Sequence, residues 1–72
     1  MEYTEITLKI EPLMPFSDLL MYELGEIGYE SFVNTDDGFK AYIPSADFDT
    51  TALDNVFANV SHCNVEYNVD II

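Results

Sequence analysis

The strongest constraint on the fold is a switch of hydrophobic period that the chain makes twice. Residues Tyr3 to Ile10 alternate apolar and polar side chains, which is typical of a half-buried β-strand. From Phe16 to Ile27 the apolar residues recur at helical spacing instead, and Gly28 is a typical helix end. A second helical stripe runs from Ala52 to Val60. The chain therefore predicts a mixed α and β domain.

The details of the two helices can also be predicted. The first stripe would bury five apolar residues: Phe16, Leu19, Leu20, Leu24 and Ile27. Gly25 weakens this helix, so we expect close packing against a strand at that position. Asp49 or Thr50 is expected to cap the second helix.

Between the helices, "ESFVNTDDGFKAYIP" predicts a β-hairpin. Asp37-Gly38 favours a two-residue turn in which both residues have positive φ. That turn would place Asp36 opposite Phe39 and Asn34 opposite Ala41. Four residues would then face the core: Phe32, Phe39, Ala41 and Ile43. A final strand is expected from Cys63 to Ile71, where polar and apolar residues alternate again.

The element order of strand, helix, strand, strand, helix, strand predicts an α+β fold of the ferredoxin-like split βαβ type. This fold is a four-stranded antiparallel sheet with both helices on one face. The other face would be open to solvent. We expect it to display nine residues: Tyr3, Glu5, Thr7, Lys9, Val33, Lys40, Tyr42, Glu66 and Asn68.

Charge excludes several kinds of partner. The 72 residues carry 14 carboxylates against two lysines, a net charge of −12. Such a field repels nucleic acid and anionic membranes and attracts basic proteins. The same acids also keep a small domain soluble without any partner. No stretch reaches the roughly 20 apolar residues of a membrane span.

The segment "DGFKAYI" is similar to the central strand of an RNA recognition motif. However, Asp37 stands where that motif has a basic residue, and the expected register turns Phe39 into the core. Together with the net charge, this argues against RNA binding.

Catalytic and metal-binding patterns are weak. His62 and Cys63 are adjacent, so in an extended segment their side chains would point to opposite sides, which argues against a catalytic Cys–His pair. We expect a loop histidine and a small core cysteine. Asp36 and Asp37 lack the ordered ligand spacing of a calcium loop. A lone cysteine forms no internal disulfide, and Met1 to Ile10 does not resemble a signal peptide, so we expect a cytoplasmic protein.

Four segments carry a resemblance to a known family: "YTEITLKI", "ELGEIGYESF", "DDGFKAYIP" and "DFDTTALDNVF". Their order and spacing from Met1 to about Tyr67 resemble the amino-terminal domain of the bacterial methyltransferases that modify ribosomal protein L-eleven of the large subunit. The resemblance implies a ferredoxin-like substrate-recognition domain over residues 1–72 with no catalytic residue of its own. It also implies a following Rossmann-like domain that binds S-adenosylmethionine and methylates amino groups of the ribosomal protein. The strand pattern still continues near Ile72, so we expect a longer full-length protein.

The expected partner is therefore a basic ribosomal protein, and no cofactor is expected in this chain. The open face would hold the contacts, with Tyr3 and Tyr42 as anchors and Glu5 and Glu66 as charge partners. Two alternatives remain open. One is a regulatory domain of the same topology that binds a small ligand, although the loop "EPLMPFS" lacks the expected glycine. The other is an acidic interaction domain with an unrelated partner.

Overall fold

The computed structural model describes residues 2–72. Its elements follow the predicted order: β1 (Tyr3–Glu11), α1 (Phe16–Glu26), β2 (Ser31–Asn34), β3 (Gly38–Pro44), a 3₁₀ turn (Ser45–Asp47), α2 (Thr50–Asn59) and β4 (Asn64–Ile71). The four strands form one sheet in the order β2-β3-β1-β4. β1 pairs with both β3 and β4, and β2 pairs with β3, and all three pairings are antiparallel. The expected split βαβ fold is confirmed.

One sheet face and both helices share a single core. β1 contributes Ile6 and Leu8, and α1 and α2 contribute Leu20 and Leu53, all with no exposed surface. Alternate residues of β1 enter this core, because side chains on a strand point to opposite faces in turn. Among the residues that the structure describes, no helix lies on the opposite face of the sheet. Neither helix is long and apolar enough to span a bilayer within residues 2–72.

The hairpin register differs from the prediction by two residues. Phe39 lies opposite Asn34 rather than Asp36, and the Thr35 amide donates to the Gly38 carbonyl at 3.0 Å. The loop residues are therefore Asp36 and Asp37, and neither has positive φ. Since the slip is an even number of residues, the faces stay as predicted. Phe39, Ala41 and Ile43 are buried, and Phe32 packs partly buried against them.

Gly38 is thus a strand residue, and its need for glycine comes from β1. It lies opposite Lys9, and a Cβ on Gly38 would overlap the carbonyl oxygen of Leu8. Only a residue without a side chain allows β1 and β3 to approach this closely.

Of the predictions for the other two glycines, one is confirmed and one is wrong. Gly28 has a φ of 111° just after α1, which confirms its expected role as helix terminator. The expectation for Gly25 is wrong, since a Cβ there would meet nothing within 4 Å. Gly25 therefore packs against no strand. Glycine inside a helix costs up to about 1 kcal/mol relative to alanine, and packing within the chain does not offset this cost.

The expected stripe of α1 holds except at Leu19. Leu20 and Leu24 are buried, and Phe16 and Ile27 pack partly buried against the core. Leu19 is 43% exposed, and Ser17 and Met21 lie on the core side instead. In α2 the expected stripe holds, and Asp49 is the cap: its carboxylate accepts from the Thr51 amide at 2.9 Å and the Ala52 amide at 3.4 Å.

Candidate functional site

The open face of the sheet is built from rows of residues that lie opposite each other on neighbouring strands. One row crosses all four strands through Ser31, Tyr42, Glu5 and Asp70. The next row contains Val33, Lys40, Thr7 and Asn68. A third row joins Gly38, Lys9 and Glu66. The nine residues expected on this face therefore do lie on it.

Tyr42 and Glu5 form the central pair of this surface. They are direct cross-strand neighbours, and the Tyr42 hydroxyl donates to Glu5 Oε2 at 2.7 Å. This hydrogen bond, together with partial burial and the carboxylate charge, raises the pKa of Tyr42 above its usual value. The Tyr42 phenol therefore keeps its proton to higher pH than a free tyrosine does, and its hydrogen bond orients the Glu5 carboxylate. The remaining lone pairs of Glu5 are free to accept from a cationic group.

Tyr3 makes a similar bond at the end of the sheet. Its hydroxyl donates to Glu30 Oε1 at 2.8 Å, and this bond and the Glu30 charge raise the pKa of Tyr3. Tyr3 is two residues from Glu5 on the same side of β1, so Tyr3, Glu5 and Tyr42 form one contiguous patch.

Glu66 does not join that patch. It lies opposite Lys9, whereas Glu5 lies opposite Asp70, four residues further along β4. At about 3.4 Å per residue this separates Glu66 from the Glu5 row by roughly 14 Å. Asp70 is the carboxylate that the sheet places beside Glu5. The alternation of residues in β4 indicates which face Glu66 lies on. Only the pairing of β4 with β1 indicates the row in which it lies.

The charge of the chain is divided unequally between the open face and the rest of the surface. Both lysines, Lys9 and Lys40, lie on the open face. Four carboxylates of the paired strands share it: Glu5, Glu11, Glu66 and Asp70. Glu30 joins them, because its carboxylate accepts from the Tyr3 hydroxyl on this face. The other nine of the 14 carboxylates lie elsewhere, where the chain has no lysine. The open face therefore carries −3, and the rest of the molecule carries −9.

The described residues form no recognisable catalytic or metal centre. Within residues 2–72 no group of three or more His, Cys, Asp or Glu side chains is arranged to hold a metal ion. His62 is exposed in a turn, while Cys63 packs partly buried against the core and its thiol lies 3.7 Å from the Val60 carbonyl. Burial raises the pKa of Cys63, which keeps it a poorly nucleophilic thiol. Both residues are placed as expected from the sequence.

Comparison with known proteins gives one informative relationship. No protein-family model matches the chain. No solved structure matches it either. A curated protein of Phocaeicola vulgatus, named ribosomal protein L11 methyltransferase, is 36% identical over 72 residues. The alignment covers 96% of this chain but only 26% of the relative, so the chain spans about a quarter of the length of the curated protein that it resembles.

Proposed function

We propose that this chain is a non-catalytic substrate-recognition domain of an L-eleven-type ribosomal protein methyltransferase. In this role it binds the basic ribosomal protein in the cytoplasm and presents it to a separate catalytic domain of the same protein. The observation that carries the proposal is the similarity to the Phocaeicola enzyme, which runs through almost the whole of this chain and about a quarter of that enzyme.

The charge and the surface support this role. A net charge of −12 accelerates the encounter with a basic protein and disfavours nucleic acid. The patch of Tyr3, Glu5 and Tyr42 offers two aromatic rings beside carboxylates, which is the composition expected of a contact for lysine-rich protein surfaces. We place Glu66 at the margin of this contact, since it lies away from the patch.

We also propose that S-adenosylmethionine binds to the separate catalytic domain and not to this chain. In Rossmann-like domains, such a cofactor lies on a glycine-rich turn between a strand and a helix, at the carboxyl edge of a parallel sheet. Here the strands are antiparallel, and the connection from β1 to α1, residues 12–15, contains two prolines and no glycine. In this proposal the cofactor therefore belongs to the separate catalytic domain.

The proposal is tested by titrating the chain with recombinant ribosomal protein L-eleven in a calorimeter. Binding should weaken steeply with added salt, because long-range attraction depends on screening. Tyr42→Ala should weaken it by on the order of tenfold, as loss of an aromatic anchor does. Thr7→Ala, in the neighbouring row of the open face, is the control and should bind normally.

Three other outcomes would each count against part of this proposal. Wild-type affinity for Tyr42→Ala would remove the patch as the contact. Equal affinity for an unrelated basic protein of similar charge would favour a general acidic interaction domain. Absence of any binding to ribosomal protein L-eleven would overturn the proposed function.

A further inference from the structure

The solvent-facing side of α1 forms a second surface with unusual composition. We call it the α1 outer stripe, and it consists of Asp18, Leu19, Tyr22, Gly25 and Glu26. These positions recur at spacings of three and four residues, so they line one side of the helix. All five are exposed, and none contributes to the core.

The stripe exposes apolar area that the fold does not need to expose. Leu19 is 43% exposed and Tyr22 is 65% exposed, although a polar residue at either position would suit the solvent side of a helix. Contiguous apolar side chains at the surface of a small domain, flanked by charged groups, are typical of interaction surfaces. Glu26 lies one turn after Tyr22, and its charge raises the pKa of the Tyr22 phenol.

Gly25 gives an independent reason to expect a partner here. Its φ is not positive, and a Cβ on it would enter open space. Neither backbone geometry nor packing within the chain therefore calls for glycine at this position. A glycine on an exposed helix face removes the side chain that would otherwise keep a neighbouring molecule away. Because Gly25 lies one turn from Tyr22, it would allow a partner to approach closely beside the aromatic ring.

The charges decide what kind of partner fits. The stripe belongs to the part of the molecule that carries nine carboxylates and no lysine. Along the helix, Asp18, Glu23 and Glu26 each lie within about one turn of Leu19 or Tyr22. A second copy of the chain would bring carboxylates against carboxylates, and a nucleic acid would add phosphates to them. A segment with lysine or arginine would instead pair with the carboxylates and could place a cation over the Tyr22 ring.

We propose that the α1 outer stripe docks a lysine- or arginine-rich polypeptide segment. In this arrangement Leu19 and Tyr22 make the apolar contacts, Asp18 and Glu26 pair with the cations, and Gly25 admits the backbone of the partner. This inference deepens the proposed function, on which it rests for the identity of the partner, by assigning a basic segment of the ribosomal protein to the helix side as a second contact beside the open face.

The test uses the 72-residue chain, with recombinant ribosomal protein L-eleven and a synthetic lysine-rich helical peptide as probes. Tyr22→Ala should bind on the order of tenfold more weakly while folding normally, because the ring is largely exposed. Glu26→Gln should weaken binding more than Asp54→Asn, its matched control, which removes one charge from the exposed side of α2.

Gly25→Ala separates docking from stability. The added methyl should raise the melting temperature by a few degrees, up to about 4–8 °C, because alanine favours the helix. The same methyl should weaken binding to both probes. A purely structural role of this glycine would leave binding unchanged.

The outcomes distinguish this inference from the proposed function. If the ribosomal protein binds, but Tyr22→Ala binds equally well and Glu26→Gln matches Asp54→Asn, the docking surface is wrong and the proposed function stands. If the ribosomal protein does not bind, the proposed function fails, and binding of the peptide then decides whether the α1 outer stripe is a docking surface. Binding of the peptide to the stripe should shift the amide resonances of Leu19, Tyr22 and Gly25. The shifts of Leu19 and Gly25 should be smaller in Tyr22→Ala. Resonances that do not change when the peptide is added would overturn the docking surface.

Discussion

Gly38 and Leu8 approach each other so closely that a Cβ on Gly38 would overlap the Leu8 carbonyl oxygen. The contact joins the start of β3 to the middle of β1, the two central strands of the sheet. Because the neighbouring atoms belong to the backbone, they cannot move aside as the end of a flexible side chain could. The pairing of the two strands therefore depends on this glycine.

Gly38→Ala is expected to destabilise the domain by about 3 kcal/mol or more, at the upper end of the cost of overpacking a core. The expected loss is a large part of the roughly 4–11 kcal/mol typical of a domain of this length. Chemical denaturation measures it. The matched control is Gly25→Ala, where the new methyl meets no atom within 4 Å and stability should stay the same or rise. Similar losses for the two variants would contradict the strand contact.

The two glycines show what the sequence could and could not predict. Hydrophobic period determines which side of each element is apolar, so the faces of β1 and β3 were predictable. The register of the hairpin was not, because Asp37-Gly38 has the composition of a tight turn while the glycine is required by a distant strand. Local turn chemistry cannot detect a contact between residues that are 30 positions apart, as Gly38 and Leu8 are.

For the candidate site, too, the sequence predicted the face of each residue but not its neighbours on the adjacent strands. Alternation placed Tyr3, Glu5, Tyr42 and Glu66 on one face, and that placement is confirmed. It could not predict that Tyr42 meets Glu5 or that Glu66 lies in another row, because the relative shift of two strands is set by pairing along the whole sheet. The exposed side of α1 was missed because Leu19 fits the spacing of a buried stripe.

Phe39 and Tyr42 provide a test of the observed faces. Phe39 is fully buried, and its ring and that of Phe32 form a T-shaped pair with centroids 5.9 Å apart. Phe39→Ala should lower the free energy of unfolding by about 3–5 kcal/mol, as large-to-small core substitutions do. Tyr42→Ala should fold normally, since Tyr42 lies on the open face. Urea denaturation of both variants checks this, and the reverse ranking would mean that the faces are inverted.

Asp49 is expected to stabilise α2 through its cap. Asp49→Ala removes the carboxylate that accepts from two free amides of the first turn, and we expect a loss of about 1 kcal/mol. Asp47→Ala is the matched control, because it removes the same charge two residues away without a capping bond. Melting temperatures of the two variants separate the cap from the charge, and equal values would show that the cap contributes nothing.

Tyr29 should make the fold sensitive to alkaline pH. Burial raises the pKa of this phenol from 10.0 to about 12, with a smaller contribution from Tyr67. The folded state therefore holds the proton more tightly than the unfolded state does. The resulting contribution to stability is complete below pH 10 and is lost as the pH rises through about 12. Denaturation midpoints measured across this range should fall less steeply for Tyr29→Phe than for the wild type. Tyr22→Phe, at an exposed position, should follow the wild type more closely.

Salt should stabilise the domain, because its charges are mostly of one sign. With 14 carboxylates against two lysines, repulsion within the folded chain exceeds attraction, and most of it lies outside the open face. At about 0.1 M salt the Debye length is roughly 10 Å, so repulsion between separated carboxylates is screened. The melting temperature should therefore rise between low salt and roughly 0.2 M sodium chloride. Glu26→Gln should reduce this rise, whereas Glu66→Gln, at the position opposite Lys9, should reduce it less. A melting temperature independent of salt would show that the carboxylates are too dispersed to repel one another appreciably.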